Sequence, residues 1–368
     1  MWIWLRGFRC RSKGWTARGD RTHRSAAGNF PPGPGRIGAM SVKWGIIGPG
    51  RIADAVAPDF AHVPGAELVA VASRSAERGA EFARRHGIER VHTGYRAILD
   101  DPDVDVLYVA TPHPQHRAIA LAAIEAGKAL MVEKAFTVSS VATREIAAAA
   151  RNRGVFVMEA MWTRFFPAVV RLRELVAEGA IGEVRSVQAD LGVRNRTADD
   201  DRFFSPELGG GALFDLGVYV VSFAQMMLGS PSTVAASGAL TPSGVDLEES
   251  ILLGWPDGRS AALQVSLQCA MPGSARVIGT EGWIEVPPRF HHPDRIVVHR
   301  HGAEPEELVL PATGRGYSHE IEEVTRRVAA GETESPVMPL ADTVAVQDVM
   351  AAVADRIGMI PEEGPASL

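Results

Sequence analysis

The 368-residue chain predicts an α/β fold in two parts. The first is a parallel sheet wound on both faces by helices; the second is an α+β domain with a large, mainly antiparallel sheet. Three observations predict this. From Val42 to about Glu159, short apolar runs alternate with amphipathic stretches. A glycine-rich turn, Gly48-Pro-Gly-Arg-Ile-Ala53, sits at the first junction between them. Beyond Leu228, strand-like segments follow one another with no helix between them until Ser318.

Within the first part, Val42–Gly48, Glu67–Ser73, Val104–Thr111, Ala129–Glu133 and Val155–Met158 read as strands, being short, apolar and bounded by turn residues. Ala76–His86, Pro114–Ala126 and Ser139–Arg153 read as the helices between them. Strands this apolar need cover on both faces, which crossover helices supply. Phe166–Glu178 and the more apolar Leu213–Leu228, entered through Gly209-Gly-Gly211, begin the second part. Val234–Leu240, Ser250–Trp255, Ser260–Leu267, Ala275–Gly279, Trp283–Pro287 and Ile296–His299 then read as strands, with Pro256-Asp-Gly258 as a hairpin turn. Ser318–Ala330 and Asp342–Ile357 close the chain as helices. The expected divisions are an extension over 1–39, a first domain over 40–160 and a second over 161–368.

Composition narrows the function classes. A chain 46% hydrophobic and 22% charged is globular in type. A net charge of −6 gives no electrostatic footprint for nucleic acid. No uninterrupted apolar run approaches the ~20 residues of a membrane span. Two cysteines, Cys10 and Cys269, cannot build a disulfide framework and point to a reducing, cytoplasmic compartment. Residues 1–39 stand apart, with eight Arg or Lys against one acid, Asp20, and a Pro/Gly-rich end. Arg6 interrupts Trp2-Ile-Trp-Leu5, so there is no secretory core. The segment reads as an Arg-rich arm or as sequence upstream of a natural start at Met40; the strand that begins directly after Met40 favours the second.

The motif at Gly48 carries the first chemistry. Its first glycine permits a tight turn, Gly50 lets backbone approach a pyrophosphate, and Ala53 lets helix and strand pack closely. The helix opening at Arg51 and Ile52 offers N–H groups and a positive dipole end to phosphates. NAD sites keep an acid at the end of the second strand for the ribose 2′-hydroxyl. Here that strand ends in Ser73 and Arg74, a hydroxyl and a guanidinium suited to a 2′-phosphate. NADP is the expected cofactor, ahead of NAD; the bland alternative makes Arg74 a solvated loop charge.

Two more segments lie at C-terminal strand ends, where open α/β sheets bind ligands. Thr111-Pro-His-Pro-Gln-His116 follows one strand and Glu133-Lys134 the next. His113 and His116 lack a third clustered ligand, so they read as polar lining of a cofactor cleft and no metal is expected. Lys134 reads either as a solvated charge or, beside a nicotinamide, as the group that holds a substrate hydroxyl. Asp215 and Tyr219, four apart in a predicted helix, share a face. Taken alone they are ordinary core polar groups. His291-His292 reads as an isolated surface pair.

From Ser41 to about Pro361 these features together resemble the glucose–fructose oxidoreductase/inositol dehydrogenase (Gfo/Idh/MocA) family. The resemblance rests on the Gly48 turn, Thr111–His116, Glu133-Lys134 and Gly209–Tyr219. Met158–Phe166 and Ser335-Pro-Val-Met-Pro-Leu340 look most similar to the dimeric dihydrodiol dehydrogenases, a group that also acts as NADP-dependent D-xylose 1-dehydrogenases. The resemblance implies that Lys134 is the catalytic lysine of a Glu-Lys-Pro motif and Tyr219 the acid/base, with Asp215 orienting substrate. It also implies that Trp162 and Arg164 form a pair near the cofactor. The family's proline is here Ala135, a change expected to loosen the turn beside the nicotinamide.

The function so implied is reversible hydride transfer between NADP and a hydroxyl of a sugar or cyclic diol. Aldose C1 and trans-dihydrodiols are the expected substrates. Tyr219 is the expected base, with Lys134 the candidate cation to lower its pKa. Two other readings are a reductase of an anhydro-sugar or other carbonyl compound, and a catalytically silent NADP-binding regulator. A homodimer built through the second domain is expected, because the helices are too few to cover both faces of its sheet.

Overall fold

The computed structural model describes residues 41–194 and 202–364. The Arg-rich segment 1–39 lies outside them. The described residues start with β1 (Val42–Ile47) and the short helix α1 (Arg51–Val56), followed by β2 (Ala66–Ser73), α2 (Ala76–His86), β3 (Arg90–Thr93) and α3 (Arg96–Leu99). β4 (Val106–Val109), α4 (His116–Glu125), β5 (Ala129–Glu133), α5 (Ser140–Arg153) and β6 (Val157–Ala160) complete a six-stranded parallel sheet. Its strand order is β3-β2-β1-β4-β5-β6. The order reverses between β1 and β4, so their C-terminal ends open a crevice at the place where such sheets bind dinucleotides.

Local chemistry sets the ends of these elements. Ser75 caps α2, its hydroxyl accepting from Arg78 N at 3.2 Å, and Gly87 ends it with a left-handed φ of 68°. Ser139 caps α5 through Ala142 N in the same way. β4 and β5 are buried at every position, as central parallel strands must be. β6, at the sheet edge, is buried as well, with the helix Leu340–Ile357 packed against it. Alternate residues of β4 feed two cores: Val106 and Tyr108 join one with Ile321 and Val324, while Leu107 and Val109 join the other with Ile119 and Ile146. The short, half-exposed β3 lacked an apolar signature, and sequence analysis missed it.

The second sheet has eight strands in the order β14-β13-β12-β11-β7-β10-β9-β8. After α6 (Pro167–Ala177) come β7 (Val184–Gly192) and α7 (Val218–Leu228), then β8 (Thr233–Leu240), β9 (Asp246–Gly254) and β10 (Ser260–Ser266). β11 (Ala275–Gly279), β12 (Gly282–Val286), β13 (Arg295–Arg300) and β14 (Glu306–Val309) follow, then α8 (Ser318–Ala329) and α9 (Leu340–Ile357). β7 and β10 pair in parallel and the other neighbours antiparallel, so the sheet is mixed but mainly antiparallel, as expected. β7, near the middle of the sheet, was not anticipated from sequence. Its signal was present: Val187, Ala189 and Leu191 are buried and alternate with Gln188 and Asp190.

α7 and α9 cover one face of this sheet, and α8 lies against the parallel sheet, where Trp44 Nε1 donates to Thr325 Oγ1 at 3.2 Å. The helical stretch Pro206–Leu228 is long and apolar enough to cross a membrane on length and composition alone, which the expectation from uninterrupted apolar runs had overlooked. It is a core helix, with 83% of its apolar window buried inside the protein.

Candidate active site

The crevice at β1 and β4 is built by glycine. Gly48 has φ 89°, and a Cβ there would lie 2.9 Å from Thr111 Cγ2. Nothing lies within 4 Å of the position a Gly50 Cβ would take, so the approach to that backbone is open. Gly50 is the N-cap of α1, which opens with Arg51 and Ile52, and Ala53 is fully buried; neither Arg51 nor Ile52, expected at the cofactor, lines the cavity that starts at Gly48. A cavity of about 170 Å³ runs from Gly48 and Gly50 to Ser73, Arg74 and Thr111. Thr111 Oγ1 is enclosed there without a hydrogen-bond partner among the described residues. An open glycine cradle ending in cations, with an orphaned hydroxyl in its wall, fits a dinucleotide.

At the far end of that cavity Ser73 accepts from Ser75 N at 3.2 Å, while Arg74 is exposed. Arg78 and Tyr95 line the same cavity and were missed in the sequence. Arg78 stands four residues after Arg74, in the first turn of α2. Burial pushes the Tyr95 phenol up, with Arg74 and Arg78 pulling against it.

The second component is the turn after β5. Tyr108 donates its hydroxyl hydrogen bond to Glu133, and Lys134 N donates to Glu133 Oε2 at 3.2 Å. Burial raises the Glu133 pKa despite those bonds. The Lys134–Ala135 peptide is cis and Ala135 is fully buried. His113 spans the carbonyls of Gly209 (Nδ1, 3.0 Å) and Lys134 (Nε2, 3.1 Å). Burial pushes its pKa down to about 3. A neutral ring has one N–H to share between those two carbonyls. His116, fully buried, spans Thr111 O (2.7 Å) and the carbonyls of Ala135 and Phe136 (3.2 and 3.1 Å). Phe136 N donates to Glu159 Oε1 at 3.2 Å. The turn expected to be loosened by Ala135 is therefore held at successive backbone groups, and His116 braces it from behind where a cleft-lining role was expected.

Lys134 Nζ donates to Asp215 O at 2.9 Å and lies 4.6 Å from the centre of the Tyr219 ring. Asp215 sits in a π-turn, Leu213–Gly217, that leads into α7. The wider turn presents its carbonyl to Lys134 while Tyr219, one turn on, lies beneath the ammonium. Arg202 donates to Asp215 Oδ1, and Asp215 Oδ2 is enclosed and unpartnered among the described residues. Arg202 had no sequence signal, since it lies in a run rich in both charges.

Burial, followed by the charges of Glu133 and Tyr317, raises the Tyr219 pKa well above its ordinary value. Lys134 was expected to lower it. The ammonium sits over the ring face, where a cation meets the π system, and burial depresses its own pKa.

The opposite wall is aromatic. Trp162 stacks on Tyr317 at 4.3 Å and on His292 at 5.3 Å, and His291 tilts against Tyr219 at 5.2 Å. His291 and His292, expected on the surface, are half-buried in the cleft. Arg164, grouped with Trp162 near the cofactor, points elsewhere and is 2% exposed. It donates to Asp342 Oδ2 (2.5 Å), Gln225 Oε1 (2.6 Å), Ser222 Oγ (3.3 Å) and Val337 O (3.3 Å). It is a buried cross-link between α7 and α9.

A glycine-floored dinucleotide crevice with a lysine and a tyrosine meeting beside it defines a nicotinamide-dependent oxidoreductase. The chain belongs to the GFO/IDH/MocA family: residues 42–161 match the oxidoreductase family, NAD-binding Rossmann fold, and residues 169–285 match the GFO/IDH/MocA C-terminal domain. It is 35% identical over 333 residues to the trans-1,2-dihydrobenzene-1,2-diol dehydrogenase of Xenopus laevis, covering 87% of this chain and 99% of that one. The human enzyme of the same name is 34% identical, with 87% and 98% covered. Among solved structures, a 3-ketoreductase from Actinomadura kijaniata in complex with NADP and TDP-benzene superposes with a TM-score of 0.76 and 28% identity, covering 86% of this chain and 98% of that one. An aldose-aldose oxidoreductase from Caulobacter crescentus, complexed with glycerol, gives 0.79 and 25%, with 86% and 97% covered.

Proposed function

We propose that this enzyme moves hydride between NADP and a hydroxyl-bearing carbon of a sugar or cyclic diol, oxidising the carbinol to a carbonyl or running the reverse. The observation that carries the reading is the meeting of Lys134, Tyr219 and Asp215 at one point beside the dinucleotide crevice. When bound, the nicotinamide accepts or returns the hydride. The chain does the rest. Lys134 holds the substrate oxygen and stabilises negative charge on it; Tyr219 exchanges its proton. Asp215, with one enclosed oxygen unpartnered among the described residues, takes a second hydroxyl, which favours diols and sugars over simple alcohols. The dihydrodiol dehydrogenases and sugar oxidoreductases among its relatives support this substrate class. A scan of aldoses, cyclic diols and the matching carbonyl compounds against both cofactors tests it. No turnover with any of them would leave the silent-regulator reading.

Arg74, Arg78 and Ser73 at the far end of the cavity support NADP over NAD. Charge-assisted hydrogen bonds are worth roughly 1.5–3 kcal/mol. Arg74→Ala is therefore expected to weaken NADPH binding about 10- to 100-fold, with NADH nearly unchanged, in fluorescence titrations. Equal losses on both would remove Arg74 from the 2′-phosphate site. Carbonyl reduction as the working direction has its own support: a tyrosine held protonated is ready to donate to a carbonyl oxygen.

The second sheet supports a homodimer. Its face away from α7 exposes Gln188, Ala235, Ser250, Leu252, Ala262 and Gln264, all uncharged, with Leu252 among them. A second copy laid on this face would cover it; light scattering that finds only monomer at micromolar concentration would count against that. Cytoplasmic residence belongs to the same reading, from the scarcity of cysteine.

A further inference from the structure

We propose that His291 is a substrate-reading residue. Together with Asp215 it takes a hydroxyl neighbouring the reacting carbon, and it restricts the enzyme to uncharged polyhydroxyl compounds. This rests on the hydride-transfer reading of the site and names the substrate class more closely.

His291 belongs to the loop between β12 and β13, and that loop is clamped at three points. Phe290 is fully buried and meets Phe223 edge-on at 5.6 Å. Phe223 lies four residues beyond Tyr219 on the same helix, so this anchor ties the loop to the element that carries the proton-exchanging group. Thr163 Oγ1 donates to His291 O at 2.6 Å, fixing the backbone next to Trp162. His292 stacks on Trp162 itself. Held from both sides, the His291 ring tilts across Tyr219 at 5.2 Å and lies 6.4 Å from Trp162.

None of these clamps uses the imidazole nitrogens. Nδ1 is enclosed and finds no hydrogen-bond partner among the described residues, while the residue as a whole is only partly buried. An enclosed polar atom without a partner is costly, and a ligand hydroxyl relieves that cost. The ring is neutral across the physiological range: burial first, then the charges of His292, Lys134 and Arg289, push its pKa down to about 3. A neutral imidazole has one donor and one acceptor, which is the pattern of a hydroxyl. It offers no charge to a carboxylate or phosphate. Arg202, the nearby guanidinium, is already engaged by Asp215. Lys134, the cation over Tyr219, is taken by the reacting oxygen, and Arg289, the other cation acting on His291, is solvent-exposed. Among the described residues, the cleft beside Tyr219 thus offers polar groups to a neighbouring substituent and no enclosed cation.

The test reads binding apart from turnover. D-xylose, its 2-deoxy analogue and D-xylonate are titrated calorimetrically into the NADPH-loaded protein, whose cofactor cannot accept hydride, as wild type, His291→Phe and His291→Gln. Formation of reduced cofactor from NADP⁺ is read separately. Phe preserves the ring against Tyr219 and removes the hydrogen bonds; Gln keeps a donor and an acceptor. Wild type is expected to bind D-xylose about 10-fold or more tightly than D-xylonate. His291→Phe is expected to weaken D-xylose about 10-fold while leaving the 2-deoxy analogue unchanged, and His291→Gln to keep most of the wild-type affinity. D-xylose that fails to bind, equal losses on both sugars, or D-xylonate bound as tightly as D-xylose would each overturn the proposal. Discrimination among the sugars without formation of reduced cofactor would support this role for His291 and sink the hydride-transfer reading instead.

Discussion

Lys134→Met and Tyr219→Phe are each expected to cut turnover on the best substrate by about 100-fold or more, the usual scale for removing a positioned acid or base. The two failures differ. Lys134 carries the charge beside the substrate oxygen and bonds to Asp215 O, so its loss also disturbs the π-turn and cofactor affinity. Tyr219→Phe keeps the ring under the ammonium and removes the proton alone. NADPH affinity should change little in that variant. The pH dependence follows from the direction of the tyrosine shift. Its pKa is raised above the ordinary value of about 10, so the phenol is protonated at neutral pH. In carbonyl reduction the protonated form acts, and the rate should be flat through neutrality. In oxidation the deprotonated form must accept the proton, so the rate should climb with pH through neutrality to at least about pH 10. Retention of wild-type turnover by Tyr219→Phe would move the proton-exchanging role to Lys134 or His113.

The largest expected effect on stability is at Arg164. Its guanidinium is buried and shared by Asp342, Gln225, Ser222 and Val337 O, so Arg164→Met leaves several polar groups short of a partner. Breaking a buried ion pair from one side costs about 3–5 kcal/mol. Asp342 is 30% exposed and regains some solvation, which places the loss toward the lower end. Denaturant melts of the NADP-free protein measure it. Because the side chain cross-links α7 to α9, cofactor affinity at a temperature where the variant is folded should stay near wild type. Unchanged melting with lost NADPH binding would instead put Arg164 at the cofactor.

Much of the first domain was readable from local pattern. A parallel strand buried on both faces writes itself as a short apolar run, as in Val106–Val109 and Ala129–Glu133. The Gly48 turn is legible because positive φ and an open Gly50 demand glycine where a strand gives way to a helix. Ser139 and Gly154 mark the ends of α5 for the same kind of local reason. From these signals the sequence by itself determined the strand–helix alternation and the dinucleotide crevice, while Lys134, Asp215 and Tyr219 became catalytic candidates through the family resemblance. Tertiary structure alone decided what those candidates do to one another. Lys134 meets a carbonyl 81 positions away, Thr163 fixes His291 across 128, and Arg164 bonds to a carboxylate 178 positions on. Contacts of that range leave no periodic trace in the chain. The pKa of Tyr219 depends on how much water its surroundings exclude, which no spacing encodes. His291 looked like a surface loop residue for the same reason: its neighbours on the chain say nothing of the helix that Phe290 anchors it against.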